Sequence, residues 1–215
     1  METDGEKIVA AIGAKQMGEE ELSREFNYLF YSHPHRTWAN TKWMGRPVNQ
    51  SVADLWLYQE IIWDRKPDMI LETGTSESGL TLYFANLLDL LGKGKVITVD
   101  FIVWDSRPSH SRICPLNGDS SSPDIAAIIM EHAKECKEVL VVLDSAHDKV
   151  HVLKELELYS PLVKSGGYLI VNDTNTEGPR EAVEEFIKEN PDFYPEEGFD
   201  KFYLSFNPGG YLRRR

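Results

Sequence analysis

The segment that most constrains the fold runs from Met69 to Asp100. It begins with the apolar run Met69-Ile70-Leu71 and continues through a glycine-containing loop, Glu72-Thr73-Gly74-Thr75-Ser76-Glu77-Ser78-Gly79. An amphipathic segment (Leu80 to Leu91) and the run Val96-Ile97-Thr98-Val99-Asp100 follow. This order predicts a strand, a loop, a helix and a second strand that ends in an acid. Such a unit typically holds a nucleotide-like cofactor at the carboxyl edge of a parallel sheet, so we expect a cofactor enzyme.

The acids of this loop indicate which kind of cofactor it binds. A dinucleotide loop needs a third, helix-packing glycine, whereas this loop has only Gly74 and Gly79. Glu72 and Glu77 would repel a pyrophosphate but suit a cationic or zwitterionic ligand. S-adenosylmethionine, with its sulfonium and amino groups, fits that charge, and Asp100 would accept hydrogen bonds from its ribose hydroxyls. The predicted cofactor residues are Glu72, Gly74, Thr75, Gly79, Asp100, Asp119 and Ser120. For Gly74 alone, a plain strand–helix turn is the alternative.

Polar residues also end two later strands of the predicted sheet. Asp144 follows the branched apolar run 139–143, and Asn172-Asp173 follows the run 168–171. The carboxyl ends of parallel strands face one crevice, although acids there also serve as helix N-caps. Three oxygen ligands suit a hard divalent ion, so we predict that Asp144, Asn172 and Asp173 bind Mg²⁺. Asp144 and His147 are the predicted catalytic residues. His147 is interpreted as a general base or a neighbour of the metal, with a structural loop histidine as the alternative.

The alternation of strands and helices predicts an α/β fold, a Rossmann-like three-layer sandwich with a mostly parallel sheet. An antiparallel edge hairpin is expected at the C-terminus, formed by the runs 202–206 and 210–212 around Asn207-Pro208-Gly209. Residues 1–30 are predicted to form a polar helical appendage in which Leu22, Phe26, Leu29 and Phe30 dock on the core. Residues 31–215 are predicted to form the main domain. Ser51 is expected to cap a helix from Val52 to Arg65.

Charge and cysteine usage limit the classes of partner and compartment. The chain of 215 residues has a formal net charge of −12, which disfavours general binding to nucleic acid or anionic lipid. Arg213-Arg214-Arg215 is interpreted as a short solvated tail. Cys114 and Cys136 show no metal-type spacing, and no apolar run approaches the ~20 residues that span a bilayer. These features predict a cytoplasmic protein without an integral membrane segment.

Several motifs, within the glycine loop and beyond it, resemble the cephalosporin hydroxylase/rhamnosyl O-methyltransferase family. The matching segments are Thr37-Trp38, Trp43-Met44-Gly45, Asp54-Leu55-Trp56, Tyr58-Gln59-Glu60, Pro67 to Thr75, Leu143 to His147, His151 to Leu156, Tyr159 to Val163, and Phe206-Asn207-Pro208-Gly209-Gly210-Tyr211-Leu212-Arg213. The resemblance implies an S-adenosylmethionine-dependent methyltransferase with a Rossmann-like fold. It places Glu72, Gly74 and Asp100 on cofactor positions, and Asp144 and Asn172-Asp173 on Mg²⁺ positions.

Three positions depart from the pattern of that family. Ser78-Gly79-Leu80 stands where the family has Gly-Gly-Ser, and Ala146 stands where it often has an acid or Asn. Asn172 replaces a glutamate, which removes one negative charge and should weaken metal affinity, although the Asn carbonyl remains an oxygen ligand.

These observations favour an S-adenosylmethionine-dependent O-methyltransferase, Mg²⁺-assisted, that acts on a hydroxyl of a small molecule such as a sugar, polyol or phenol. The segments 31–50 and 101–112 are predicted to wall the acceptor site. Two alternatives remain open at this stage: a protein associated with an oxygenase or hydroxylase, and a catalytically degenerate binding protein. The aromatic N-terminal segment and the C-terminal hairpin are candidate surfaces for self-association into a homo-oligomer.

Overall fold

The computed structural model describes residues 18–32, 37–102 and 108–215. Six helices of more than one turn lie in these ranges: α1 (Glu19–Ser32), α2 (Val52–Arg65), α3 (Gly79–Leu91), α4 (Pro123–Ala133), α5 (Lys149–Tyr159) and α6 (Glu177–Glu189). Two short 3₁₀ turns are also present, at Trp38–Asn40 and Ser160–Leu162. The strands are β1 (Lys42–Trp43), β2 (Arg46–Pro47), β3 (Met69–Thr73), β4 (Lys95–Asp100), β5 (Ile113–Asn117), β6 (Val139–Leu143), β7 (Tyr168–Val171), β8 (Phe193–Pro195) and β9 (Tyr211–Arg214).

Seven strands form one sheet in the order β5-β4-β3-β6-β7-β9-β8. The five strands from β5 to β7 are parallel, whereas β9 pairs antiparallel with both β7 and β8. The predicted α/β class with an antiparallel C-terminal edge is therefore confirmed. Every residue of β3, β6 and β7 is buried, as expected for parallel strands covered on both faces.

The two faces of the sheet carry separate hydrophobic clusters, which gives the three-layer arrangement. Helices α4, α5 and α6 pack on one face, where Ile129, Leu156 and Phe186 belong to one buried cluster with side chains of β3, β4, β6, β7 and β9. Helices α2 and α3 pack on the other, around Tyr58 and Phe84. Alternate residues of the same strands supply both clusters, because successive side chains in a strand point to opposite faces.

Helix α2 begins and ends where the sequence predicted. The Ser51 side chain accepts a hydrogen bond from the Asp54 backbone N–H at 3.1 Å and satisfies a donor that the first turn leaves unpaired. Lys66 then adopts a left-handed conformation that stops the helix before Pro67. Ser122 and Asp148 cap α4 and α5 in the same way.

The C-terminal hairpin uses a different first strand from the one expected. Segment 202–206 is not a strand, so its assignment was wrong; β8 takes that place beside β9. The reason is tertiary: the Phe206 N–H and the Ser205 hydroxyl donate to the buried Asp54 carboxylate, at 2.8 and 2.7 Å, rather than to a neighbouring strand. Tyr203, at φ 57°, is also incompatible with regular β structure.

The terminal arginines do not form a solvated tail. Arg213 and Arg214 belong to β9, and Arg213 pairs with Glu196 at 2.9 Å. The guanidinium groups of Arg214 and Arg215 lie over the rings of Phe193 and Tyr194. The side chains therefore cover the β8 edge of the sheet.

Helix α1 does not bury the apolar residues that were expected to dock. Leu22, Phe26 and Leu29 are 60%, 48% and 58% exposed, so that prediction was wrong for these three. Phe30 does contact the main domain, with its ring 5.9 Å from that of Phe206. Residues 1–17 of the predicted appendage lie outside the described residues, so the boundary at residue 30 stays a prediction. Among the described residues, no helix is both long and apolar enough to span a bilayer.

Candidate active site

The loop between β3 and α3 depends on two glycines that approach other parts of the backbone. Gly74 has φ +86°, and a Cβ on it would lie 1.9 Å from the carbonyl oxygen of Asp144. A Cβ on Gly79 would lie 1.9 Å from the carbonyl oxygen of Pro47. The glycines therefore let the loop pack between the residue that follows β6 and the end of β2. The predicted tight turn at Gly74 is present, and the close approach made there is to protein backbone.

Glu72 lies at the end of β3 and is completely buried. Its Oε2 accepts hydrogen bonds from the hydroxyls of Thr81 and Thr98, both at 2.5 Å. Its Oε1 is buried and has no partner among the described residues. Burial raises the pKa of this carboxyl group to about 8, against the two hydroxyl hydrogen bonds. An unpaired buried oxygen beside the loop fits a site that a cationic ligand completes.

Of the four other predicted cofactor residues, Thr75 lies in the glycine loop with its hydroxyl 2.7 Å from that of Thr98, and the remaining three lie further along the same edge. Asp100 ends β4 and accepts hydrogen bonds from the backbone N–H groups of Ser76 (2.8 Å) and Ile102 (2.9 Å). Asp119 and Ser120 follow β5. The Asp119 carboxylate accepts from Ser121, and the Ser120 hydroxyl lies 3.2 Å from a ring nitrogen of His151. Asp100 thus ties the glycine loop to β4, while Asp119 and Ser120 sit one strand beyond it.

A cavity of about 340 Å³, called here the loop cavity, opens beside the glycine loop. Its walls come from the glycine loop, the ends of β6 and β7, α1, the segment before α2, and the segment before β9. The lining residues are Gly74 to Leu80, Asp144, His147, Asp173, Tyr31, Trp38, Ala39, Pro47, Val48, Asn49 and Phe206. The described lining includes three acids and no lysine or arginine. Residues of segment 31–50 contribute to the wall of this cavity, and their contact with an acceptor stays a prediction. Of segment 101–112, residues 103–107 lie outside the described residues.

Asp144, His147 and Asp173 form a cluster in the wall of this cavity. One ligand atom from each lies within 4.8 Å of the others. The His147 Nε2 is 3.1 Å from an Asp173 oxygen and 3.9 Å from an Asp144 oxygen. The Asp144 and Asp173 carboxylates raise the pKa of the His147 imidazole, and burial next to Asp144 raises the pKa of Asp173 to about 7. Two carboxylates crowded together in this way fit a hard divalent cation.

Asn172 occupies a different place from the one expected of a metal ligand. It is buried, and its Oδ1 accepts a hydrogen bond from the Tyr58 hydroxyl. Its Nδ2 has no partner among the described residues. In this structure the Asn172 oxygen is therefore committed to α2, whereas Asp173 faces the cavity.

Three residues that sequence reasoning did not single out support this cluster. Gln50 is buried and donates from Nε2 to Asp144 at 2.9 Å. Asn207 accepts from the Asp173 N–H at 3.0 Å and donates to the Tyr58 hydroxyl at 3.1 Å. Tyr58 and Asn207 both lie in the segments that carried the family resemblance, so that signal pointed to them without indicating a role. Gln50 had no such signal.

The sequence matches known proteins over nearly its whole length. The family described as Rhamnosyl O-methyltransferase/CmcI matches residues 35–215. A rhamnosyl O-methyltransferase of Mycobacterium leprae (strain TN) is 32% identical over 212 residues, covering 91% of this chain and 92% of the relative.

Two solved structures show the same fold. An apo form of CmcI-N160 has a TM-score of 0.67 at 20% identity, with 82% of this chain and 76% of that chain covered. A form of CmcI-D160 described with Mg and S-adenosylmethionine has a TM-score of 0.60 at 18% identity, with coverage of 82% and 77%. The resemblance seen in the motifs is confirmed: the chain belongs to the rhamnosyl O-methyltransferase/CmcI family of S-adenosylmethionine-dependent methyltransferases.

Proposed function

We propose that this protein transfers the methyl group of S-adenosylmethionine to a hydroxyl group of a sugar, with rhamnosyl glycosides as the leading acceptor class. The observation that carries the proposal is the placement of Asp144, His147 and Asp173 in the wall of the same cavity as the glycine loop. Family membership supports methyl transfer, and the name of the mycobacterial relative supports the rhamnosyl acceptor.

The cofactor would be held at the ends of β3, β4 and β5. The glycine loop from Gly74 to Gly79 would form the wall of the site on the side of the loop cavity. The cation of the cofactor would stabilise the ionised form of Glu72, whose pKa burial raises to about 8, and Asp100 would supply oxygens for the ribose hydroxyls. Asp119 and Ser120 would border the base. The acidic lining favours this cation over the pyrophosphate of a dinucleotide.

Asp144 and Asp173 would hold Mg²⁺, with His147 beside them. When bound, the ion would orient the acceptor hydroxyl and lower its pKa. Gln50 keeps the Asp144 carboxylate in place, and Asn207 fixes the backbone of Asp173. His147 reaches the same space from the loop after β6 and would accept the proton that the hydroxyl loses.

The donor set disfavours the oxygenase alternative. A mononuclear iron oxygenase typically uses two histidines and one carboxylate on one face. The cluster found among the described residues has one histidine and two aspartates. That composition suits a hard oxygen-preferring ion and a hydroxyl acceptor.

Calorimetry and a methyl-transfer assay test the proposal together. We expect S-adenosylmethionine to bind the purified protein, and the double variant Glu72→Ala/Asp100→Ala to lose most of that binding. Asp144→Ala should retain cofactor binding and lose Mg²⁺-dependent methyl transfer to rhamnosides by at least a hundredfold. Unaltered binding in the double variant would overturn the cofactor assignment. Unchanged Mg²⁺ dependence in Asp144→Ala would overturn the metal assignment.

A further inference from the structure

Asp173 has a strained backbone at the point where its carboxylate meets His147. Its φ is 55°, in the left-handed region that residues with a side chain rarely adopt. The carboxylate lies in the wall of the loop cavity, 3.1 Å from the Nε2 atom of His147. Because backbone angles set the direction of a side chain, this left-handed turn decides where the carboxylate lies. Such strain persists only where surrounding contacts hold it, and it concentrates at functional sites.

Both backbone groups of Asp173 have hydrogen-bond partners that hold this turn. The Asp173 carbonyl accepts from the Thr176 N–H (2.8 Å) and the Thr176 hydroxyl (2.7 Å), which belong to the same stretch of chain. The Asp173 N–H donates to Asn207 Oδ1 at 3.0 Å. Asn207 is completely buried and lies 34 residues away, in the segment before β9. A distant segment of the chain therefore helps to fix the conformation of Asp173.

Two tyrosine hydroxyls fix the orientation of the Asn207 amide. Asn207 Nδ2 lies 3.1 Å from the Tyr58 hydroxyl oxygen and 3.5 Å from that of Tyr211. A tyrosine hydroxyl has one hydrogen to donate. The hydrogen of Tyr58 goes to Asn172 Oδ1. The hydrogen of Tyr211 goes to the buried carboxyl group of Asp54, at 2.7 Å. Both tyrosine oxygens can therefore only accept from Asn207, which turns Nδ2 towards them and leaves Oδ1 for another donor.

We propose that Asn207 is a positioning residue of the methyl-transfer site. It holds Asp173 in the left-handed conformation in which the carboxylate would bind Mg²⁺ beside Asp144. The Tyr58 and Tyr211 hydroxyls keep the Asn207 amide oriented for this contact. The inference rests on the proposed function and extends it from the residues that would bind the ion to those that set how tightly it binds.

The effect on the ion passes through Asp173, because Asn207 and the two tyrosines are not among the described residues that line the loop cavity. A ligand that is already held in its bound geometry does not have to be ordered when the ion binds. Loss of the Asn207 contact should therefore weaken metal binding and leave the cofactor contacts intact.

Calorimetry with Mg²⁺ tests the inference without requiring turnover. Mg²⁺ is titrated at pH 8 into protein saturated with S-adenosylhomocysteine. We expect Asn207→Ala to weaken Mg²⁺ binding about tenfold or more and to retain the affinity for S-adenosylhomocysteine. Tyr58→Phe keeps the ring in the core and should weaken Mg²⁺ binding about threefold or more. The double variant should bind Mg²⁺ as Asn207→Ala does, because Tyr58 acts through Asn207.

Thr174→Val is the matched control. Thr174 is buried, and its hydroxyl donates to the Pro208 carbonyl at 2.9 Å. The variant removes a neighbouring bond between the same two segments and leaves Asn207 in place, so Mg²⁺ affinity should stay that of the wild type. An equal loss in Thr174→Val and Asn207→Ala would overturn the inference, since it would reduce the role of Asn207 to support of the fold. So would unchanged Mg²⁺ affinity in Asn207→Ala or, if that variant does not fold, in Tyr58→Phe. Losses that add in the double variant would overturn the part assigned to Tyr58.

A methylation assay provides a second readout. Raising the Mg²⁺ concentration should restore the kcat of Asn207→Ala, with KM for S-adenosylmethionine unchanged, because the variant lacks ion affinity and not cofactor contacts. A kcat that saturating Mg²⁺ does not restore would overturn the inference. A wild type that does not bind Mg²⁺ would overturn the proposed metal site and this inference together. Mg²⁺ affinities that respond as expected, without methylation of any rhamnoside, would overturn the proposed acceptor and leave the role of Asn207 standing.

Discussion

Single residues in the glycine loop carry the clearest departures from the family pattern. Ser78 stands where the family has glycine, and the structure shows why glycine suits the position: its φ is 64°. The Ser78 hydroxyl is also buried without a partner among the described residues. The loop therefore keeps its left-handed turn at an energetic cost that a glycine would avoid.

Replacing Ser78 by glycine should stabilise the protein. The change relieves the left-handed strain and removes a buried hydroxyl, so we expect the free energy of unfolding to rise by about 1 kcal/mol. Urea denaturation of the wild type and the variant measures this difference. Ser78→Ala is the control, because it removes the hydroxyl but keeps the strain; a larger gain from alanine than from glycine would contradict the explanation.

Glu72 should make stability depend on pH. Burial raises its pKa from the ordinary 4.5 to about 8, so between these values the folded state holds a proton that the unfolded state releases. Stability should therefore fall as pH rises from 4.5 to 8, by about 1.4 kcal/mol for each pH unit in that window. Denaturation curves at several pH values, in the presence of a chelator, should show a shallower fall for Glu72→Gln.

The raised pKa of Asp173, about 7, also makes stability fall as pH rises, and this contribution remains in Glu72→Gln. The comparison therefore concerns the difference between wild type and Glu72→Gln, not the whole slope. An identical slope in the two proteins would show that Glu72 is ionised when the protein is folded.

At the scale of elements, the site depends on how closely α3 approaches the end of β2. Gly79 begins α3 and meets the Pro47 carbonyl, while the Asp144 carboxylate is held by Gln50, just before α2. The segment between β2 and α2 thus contacts both the cofactor loop and the metal-binding carboxylate.

Gly79→Ala should separate these two elements. A Cβ would lie 1.9 Å from the Pro47 carbonyl oxygen, so backbone must move, and we expect a loss of about 1–3 kcal/mol in unfolding free energy. Cofactor affinity by calorimetry should also fall at least tenfold. Gly18→Ala is the control, because nothing lies within 4 Å of its added Cβ. Wild-type stability in Gly79→Ala would show that the backbone around Pro47 can move away from the added Cβ without lowering the free energy of unfolding.

The C-terminal segment 205–211 is a second element whose role is tertiary. The buried Asp54 of α2 accepts hydrogen bonds from the Ser205 and Tyr211 hydroxyls and from the Phe206 N–H. Asn207, between them, holds Asp173. The C-terminal motif that carried the family resemblance therefore joins α2, through Asp54, to the residue that follows Asn172 at the end of β7, Asp173.

For the whole molecule, binding of Mg²⁺ should be linked to protons. Asp173, with a pKa of about 7, and His147, with a raised pKa, hold protons that a cation at the same carboxylates displaces. We expect Mg²⁺ to raise the melting temperature more at pH 8 than at pH 6, since ion binding stabilises the folded state. Thermal denaturation with and without Mg²⁺ at the two pH values measures this. Asp144→Asn should abolish most of the shift, and an equal shift at both pH values would contradict the linkage.

Sequence alone determined the order of the parallel strands and of the helices that connect them, the glycine loop and the family. These are local or periodic features. Buried runs such as Val139–Leu143 indicate strands covered on both faces, and Ser51, whose side chain accepts from the Asp54 N–H three residues later, marks the start of a helix at Val52. It also placed Asp144 and Asp173 at one edge, because the carboxyl ends of parallel strands must meet there.

Only the tertiary structure decided which side chains face the loop cavity and which are committed elsewhere. Asn172 and Asp173 are neighbours in sequence, yet one donor–acceptor pair with Tyr58 turns the first towards α2 while the second meets His147. Segment 202–206 has the composition of a strand, but the backbone N–H of Phe206 donates to the buried carboxyl group of Asp54, 152 residues away in the chain, and not to a neighbouring strand. Contacts between residues so distant in the chain depend on packing and on the cost of leaving a buried polar group unpaired, and neither leaves a periodic trace in the sequence.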